Sequence, residues 1–316
     1  MELISVIGSG RSGSTFLEGL LHSATRVTAV GEVSQLWEKG LLRNELCGCG
    51  EPFSRCPFWD AVISSAFGRP TRSDAQQFDR IFTAARRGLL DGAMLLGVPT
   101  PRDPAFEQIA QPLYDSIWRI GGEHPILDSS KWPAYVAATR GLDHRAAHLI
   151  HMFRDARGNV HSYRNPKRRP QARSKDHEYL GASKSLYHAI GRWKLLNLQA
   201  RRYARRQQGV ATIMYEQLCN RPELILSKLI DMAALRPGPA SGHWHSVSGN
   251  PVRFDPGKSE VSQDQRWRLE MKPIDRYITR LLTVVQQQGL EHAANRWLEA
   301  HGNAAALGSP LLRRVN

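Results

Sequence analysis

Short apolar runs alternate with longer stretches of helical spacing along this chain. Residues 3–7 form a β-branched run that reads as a strand, and the glycine-rich residues 8–13 end it. Across residues 15–23 the apolar side chains Phe16, Leu17, Leu20 and Leu21 mark one face of a helix. Residues 27–30 read as a second strand, ending at Gly31-Glu32. The polar stretch 33–121 reads as mostly helical, interrupted by a cysteine-bearing loop and by Gly/Pro turns near 68–70, 97–104 and 121–125. Further strands are predicted over 125–128, 148–153 and 210–215. The first is followed by Ser129-Ser130-Lys131, and the second by Arg154-Asp155 and a helix. Residues 164–181 read as a mobile basic loop and 183–208 as one long helix. A helix follows over 222–232, then a Gly/Pro/Ser-rich loop over 236–260, then a C-terminal helix over 263–288. There is no internal repeat. Strands alternating with helices predict a three-layer α/β fold, with a central, mainly parallel sheet covered on both faces and a helical insertion over 33–121. Ligands of such sheets bind beyond the carboxyl ends of the strands.

Composition narrows the picture modestly. The 316 residues suit a single domain. No apolar run approaches ~18 residues, so no transmembrane helix is expected. The first residues carry no basic segment or cleavage site, so no signal peptide is expected either. The four cysteines are too few for a disulfide scaffold, and the expected location is the reducing cytoplasm. A net charge of +14 attracts anions such as nucleotides or acidic glycans. Arginine pairs such as Arg201-Arg202 and Arg205-Arg206 read as solvated helix faces, and no nucleic-acid partner is assigned.

The stretch Gly8-Ser9-Gly10-Arg11-Ser12-Gly13-Ser14-Thr15 satisfies two phosphate-binding patterns. It reads GxGxxG, with Glu32 about 20 residues on, where an acidic ribose ligand would stand. It also has the spacing of GxxxxGK[ST], with Ser14 in place of the lysine. Both patterns turn backbone N–H groups and a helix N-terminus towards phosphate oxygens. The missing lysine argues against an ATPase. The side-chain donors Arg11, Ser12, Ser14 and Thr15 argue against a dinucleotide loop of mainly bare backbone, and suit a terminal group with several exposed oxygens.

Arg-Ser-Gly-Ser-Thr after a first strand resembles the 5′-phosphosulfate loop of PAPS-dependent sulfotransferases. Its Arg11 form is closer to the tyrosylprotein and Golgi-type branch than to the small-molecule cytosolic branch. Residues 151–163 resemble the 3′-phosphate motif of the same family, a strand ending in Arg-Asp-x-Arg with a serine eight residues after the first Arg. Arg154 offers a bidentate fork, and Ser162 lies about two helical turns on. Tyr215-Glu216-Gln217-Leu218 resembles the family's Tyr-Glu-x-Leu segment beside the nucleotide. Asp128-Ser129-Ser130-Lys131 is similar to the segment supplying an active-site lysine, and residues 245–253 to the loop that covers the nucleotide.

The resemblance implies a P-loop-like fold, with PAPS as co-substrate and an unidentified hydroxyl as acceptor: a glycan, lipid, small natural product or peptide, anionic acceptors included. It implies that Glu32 is the general base and that Arg11 and Lys131 neutralise charge on the transferred and leaving groups, with no metal required. Gly10, Arg11, Ser12, Gly13, Ser14, Thr15, Arg154, Ser162, Tyr215, Ser246, Gly249, Asn250 and Arg253 are the implied donor-binding residues. His22, His151 and His161 are alternative bases. Two other readings stand beside this one. They are an NAD(P)-dependent oxidoreductase, from the GxGxxG pattern, and a non-catalytic phosphate-loop binding protein.

Cys47, Cys49 and Cys56 lie within ten residues of one another. Their spacing is not a paired CxxC, and the sequence shows no fourth ligand, so no metal site is assigned. Similar segments in bacterial relatives suggest a structural loop beside the acceptor pocket. A disulfide, a redox-sensitive thiol and zinc are the alternatives.

Overall fold

Strand β1 (Glu2–Ile7) runs through the centre of the sheet, and its alternation divides the core. Leu3 and Ile7 enter one apolar cluster and Ile4 and Val6 another, because successive side chains point to opposite faces. The computed structural model describes residues 1–87, 102–169, 171–173, 179–180, 185–238, 244–249 and 263–300. Asn250 and Arg253 lie outside the described residues.

β2 (Thr28–Gly31), β3 (Ile126–Lys131), β4 (Ala146–Phe153) and β7 (Val210–Met214) complete a five-stranded sheet in the order β2-β3-β1-β4-β7, parallel throughout. β5 (Lys167–Arg168) and β6 (Tyr179–Leu180) form a separate antiparallel pair inside the stretch predicted as loop. β3 separates β1 from β2. In the dinucleotide-binding arrangement β2 is the neighbour of β1, so this topology is P-loop-like rather than Rossmann-like.

On the Ile4 face, α1 (Ser14–Ala24), α8 (Tyr215–Asn220) and α9 (Pro222–Met232) contribute Leu17, Leu218 and Leu226 to the core. On the Leu3 face, the insertion supplies α2 (Pro57–Phe67), α3 (Arg72–Arg87) and α4 (Pro104–Ile120). Their Trp59, Phe82 and Phe106 pack with Tyr135 of α5 (Pro133–Thr139). α6 (Ala156–Arg164) follows β4, and α7 (Leu186–Ala204) is the long helix. The insertion opens with a 3₁₀ turn at Val33–Gln35 and a π-helical turn at Leu36–Leu42.

Element boundaries differ from expectation most clearly at β3 and at the C-terminal helix. β3 continues through Ser129, Ser130 and Lys131, although polar residues there suggested an end at Asp128. The Ser129 hydroxyl donates to Glu18 and the Ser130 hydroxyl to Asp128, so these polar groups are satisfied while buried. The C-terminal helix is two helices, α10 (Trp267–Glu270) and α11 (Pro273–Ala300). Pro273 lacks an N–H and is tolerated only in a first turn.

Candidate active site

Every strand of the large sheet ends at the same edge, and each end carries a residue singled out in the sequence. The loop after β1 is shaped by backbone that only particular residues tolerate. Gly8 has φ +134°, and a Cβ there would lie 2.2 Å from the Met152 carbonyl oxygen. Gly13, at φ +86°, would drive a Cβ to 2.4 Å from the Tyr215 ring. Arg11 itself is left-handed, at φ 68°. α1 begins at Ser14, so its first N–H groups point into the loop. The loop is braced from α6, where Asn159 Nδ2 donates to the Gly10 carbonyl at 2.8 Å and to Ser12 Oγ at 3.3 Å. The Ser9 hydroxyl in turn donates to Asn159 Oδ1 at 3.3 Å. Ser12, Ser14 and Thr15 are buried, whereas a Cβ on Gly10 would meet nothing within 4 Å. The loop is therefore rigid behind and open in front.

Glu32 and Lys131, at the ends of β2 and β3, form an ion pair, with Nζ 2.5 Å from Oε1. Gln35 donates to the other carboxylate oxygen. Burial lowers the Arg11 pKa, while the charge of Glu32 and then that of Tyr163 oppose the shift. Asp128 holds the turn after Glu32. It accepts from the Ser130 backbone N–H and hydroxyl and from Tyr114, and Ser130 Oγ accepts from Ser34 N–H at 3.0 Å. Burial raises the Asp128 carboxyl to about 6.

Two site residues escaped the sequence reading. Lys39 of the π-helical turn is buried and donates to Ser248 Oγ at 2.7 Å. Burial lowers its pKa to about 8, against the opposing charge of Glu32. Its only sequence signal was a lysine inside the apolar run Leu36-Trp37-Glu38-Lys39-Gly40-Leu41-Leu42. Glu18 lies beneath the pair on α1. It accepts from Gly31 N–H at 2.8 Å, Ser129 Oγ at 2.7 Å and Trp244 Nε1 at 3.0 Å. It thus joins β2, β3 and the segment 244–249.

Burial drives the Glu18 carboxyl up to about 7, with Ser129 and Trp244 the largest opposing influences. A carboxyl raised above its ordinary 4.5 favours the folded state most below that value, and the contribution is lost as pH rises through about 7. Glu18→Gln keeps an acceptor for Gly31 and Trp244 and cannot ionise. Its melting temperature, relative to the native protein's, is expected to rise between about pH 5 and about pH 8. A difference that is constant with pH would show that Glu18 does not titrate there.

At the other end of the edge, the Arg154 guanidinium lies 4.8 Å over the Tyr215 ring. Nη2 donates to the Asp264 carbonyl at 2.6 Å and lies 3.4 Å from its carboxylate. Glu216 stands 4.0 Å from Nε, which is buried and makes no hydrogen bond among the described residues. A Cβ on Gly158 would lie 2.8 Å from Arg154 Nε, so the guanidinium crosses α6 at that glycine. Ser162, one turn further on the same face, is buried. Asp155 caps α6 and pairs with Arg157.

The alternative bases are engaged elsewhere. His151 contacts Asn197 and His161 pairs with Glu270, while His22 stacks on Trp244. Burial lowers His22 and His151 to about 4, so both are neutral near pH 7. In segment 244–249, Val247 accepts from Glu32 N–H at 2.8 Å and donates to the Val30 carbonyl at 2.9 Å. Ser246 is fully buried beside Gly31, and the Gly249 carbonyl accepts from Gln171.

No protein-family model matches the chain, and no curated protein does. Among solved structures, the chain is similar to the sulfotransferase domain of the olefin synthase of Synechococcus PCC 7002, with 15% identity and a TM-score of 0.48 over 91% of this chain and 94% of that one. It is also similar to the sulfotransferase domain from the curacin biosynthetic pathway, with 15% identity and a TM-score of 0.46 over 99% of this chain and 95% of that one.

Proposed function

We propose that the protein transfers a sulfuryl group from PAPS to an acceptor hydroxyl, releasing adenosine 3′,5′-bisphosphate. The observation that carries this reading is that one helix braces both the loop after β1 and Arg154, the two candidate anion seats. Asn159 of α6 holds the loop after β1, and Gly158 of the same helix gives passage to Arg154. The Tyr215 ring lies between them, against Gly13 on one side and Arg154 on the other. A nucleotide carrying anionic groups at both its 5′ and 3′ positions matches that layout. The buried Arg154 Nε, without a hydrogen bond among the described residues, is a donor that a 3′-phosphate would satisfy.

The Glu32–Lys131 pair supplies the chemistry. Glu32 takes the acceptor proton as the acceptor oxygen bonds to sulfur. The bond between sulfur and the bridging oxygen breaks, and Lys131 and Arg11 stabilise the charge left on that oxygen. The oxidoreductase reading loses its ribose ligand, because β3 stands between Glu32's strand and the loop, and the Glu32 carboxylate is already paired with Lys131.

Calorimetry with adenosine 3′,5′-bisphosphate, adenosine 5′-monophosphate and NAD tests the donor. Mass spectrometry of cell extract incubated with the protein and labelled PAPS tests transfer and finds the acceptor. Preference for NAD would overturn the donor assignment. Tight binding of the bisphosphate without any labelled product would favour the non-catalytic reading. Turnover is expected to proceed without added magnesium, since Arg11 and Lys131 take the place of a cation at the transferred group. A complete loss restored only by magnesium would point to different chemistry.

A further inference from the structure

We propose that Cys47, Cys49, Cys56 and His245 form a tetrahedral zinc site that pins the segment over Glu32 to the insertion. The four ligand atoms all lie within 4.8 Å of one another. Cys56 Sγ is 3.6 Å from Cys47 Sγ, 3.7 Å from Cys49 Sγ and 3.3 Å from His245 Nδ1, and Cys47 Sγ is 3.9 Å from that nitrogen. Zinc bonds of about 2.3 Å to sulfur and about 2.0–2.1 Å to nitrogen imply tetrahedral edges of about 3.8 Å between sulfurs and about 3.6 Å between sulfur and nitrogen. The two sulfur–sulfur separations fall just below the first value, and the two sulfur–nitrogen separations fall on either side of the second. A disulfide would join two of the sulfurs and leave the third beside them. Here Cys56 is nearly equidistant from both others, and all four cysteines of the chain are free.

The surroundings are those of a metal-binding loop. Cys47 and Cys49 sit on a tight turn, in which Gly50, at φ +89°, donates to the Cys47 carbonyl and Cys47 N–H donates to Glu51. Cys56 caps α2, where helix N–H groups favour a thiolate. The His245 ring stacks on Phe58, with centroids 4.9 Å apart and planes at 8°, and its carbonyl accepts from Trp59 Nε1 at 3.0 Å. The ring is therefore held in place from two sides. Three soft thiolates and an imidazole select zinc over magnesium or calcium. Four protein ligands leave no open position, so the site is structural.

Gly48 shows what the metal would hold together. A Cβ there would lie 2.3 Å from the Trp244 carbonyl, and Gly48 N–H donates to Ser246 at 3.0 Å. From this junction the segment continues to Val247, which accepts from Glu32 N–H, and Trp244 bonds to Glu18. The site thereby positions the backbone of Glu32 without touching the reacting atoms.

The test uses untagged full-length protein and needs no transfer assay, so its result is independent of the proposed activity. Mass-spectrometric metal analysis after exhaustive dialysis is expected to find about one zinc per chain. Cobalt(II) substitution is expected to produce the visible bands of a tetrahedral thiolate site. Cys56→Ser should lose the metal, whereas His245→Cys, which supplies a fourth thiolate, should retain it. Should Cys56→Ser fail to fold, the native cobalt spectrum and His245→Cys decide the matter. Metal-free native protein with four freely reactive thiols, or a mass showing a disulfide, would overturn the site.

Discussion

Glu32→Gln is expected to lower kcat by about 10²–10⁴-fold, the range of a lost general base, while changing bisphosphate affinity by less than about threefold. The glutamine keeps the shape at the end of β2 and a carbonyl oxygen for hydrogen bonding, but it cannot take a proton from the acceptor. It also removes the partner of Lys131, whose side chain is only 15% exposed. Thermal melting must therefore accompany the kinetics, so that a loss of fold is not read as a loss of chemistry. Normal turnover would move the base elsewhere. Lost nucleotide binding with intact turnover at saturation would instead return Glu32 to the role of a ribose ligand.

Arg154→Ala should weaken adenosine 3′,5′-bisphosphate by about 10–150-fold, corresponding to about 1.5–3 kcal/mol for a charge-assisted hydrogen bond. Arg154→Lys should recover little, because a point charge cannot supply the guanidinium fork. The Asp264 carboxylate lies 3.4 Å from this guanidinium, where it would compete with a phosphate. Asp264→Asn removes that competing charge and should therefore tighten bisphosphate binding. Calorimetry of the three variants checks both signs at once. Unchanged affinity in Arg154→Ala would remove Arg154 from the donor site.

Much of the sheet was legible because each strand is an apolar run with its own local signal. Residues 148–153 fall inside β4, and of the predicted strand 210–215 residues 210–214 form β7 while Tyr215 opens α8, in line with their β-branched and apolar content. β3 was read three residues short. Ser129 and Ser130 look like loop until Glu18 and Asp128 are seen to accept their hydrogen bonds. The same limit hid Lys39 and Glu18. A charged residue in an apolar helix is ambiguous until its partner is known, and Ser248 lies 209 positions from Lys39.

The sequence by itself determined the local chemistry. Gly8, Gly13 and Gly31 stand where φ is positive, a conformation that costs glycine nothing. Arg11, Glu32, Lys131, Arg154 and Tyr215 each follow a recognisable strand, so their place at the carboxyl edge of a parallel sheet could be read directly. Which of these residues meet was decided only by the tertiary structure. Periodicity specifies that a segment is a strand, not which edge it joins. Once β3 lies between β1 and β2, Lys131 falls beside Glu32, and the acid that GxGxxG spacing would give to a ribose acquires a lysine partner. His245 and Cys56 are likewise 189 residues apart, and only the packing of segment 244–249 onto the insertion brings the imidazole to the three sulfurs.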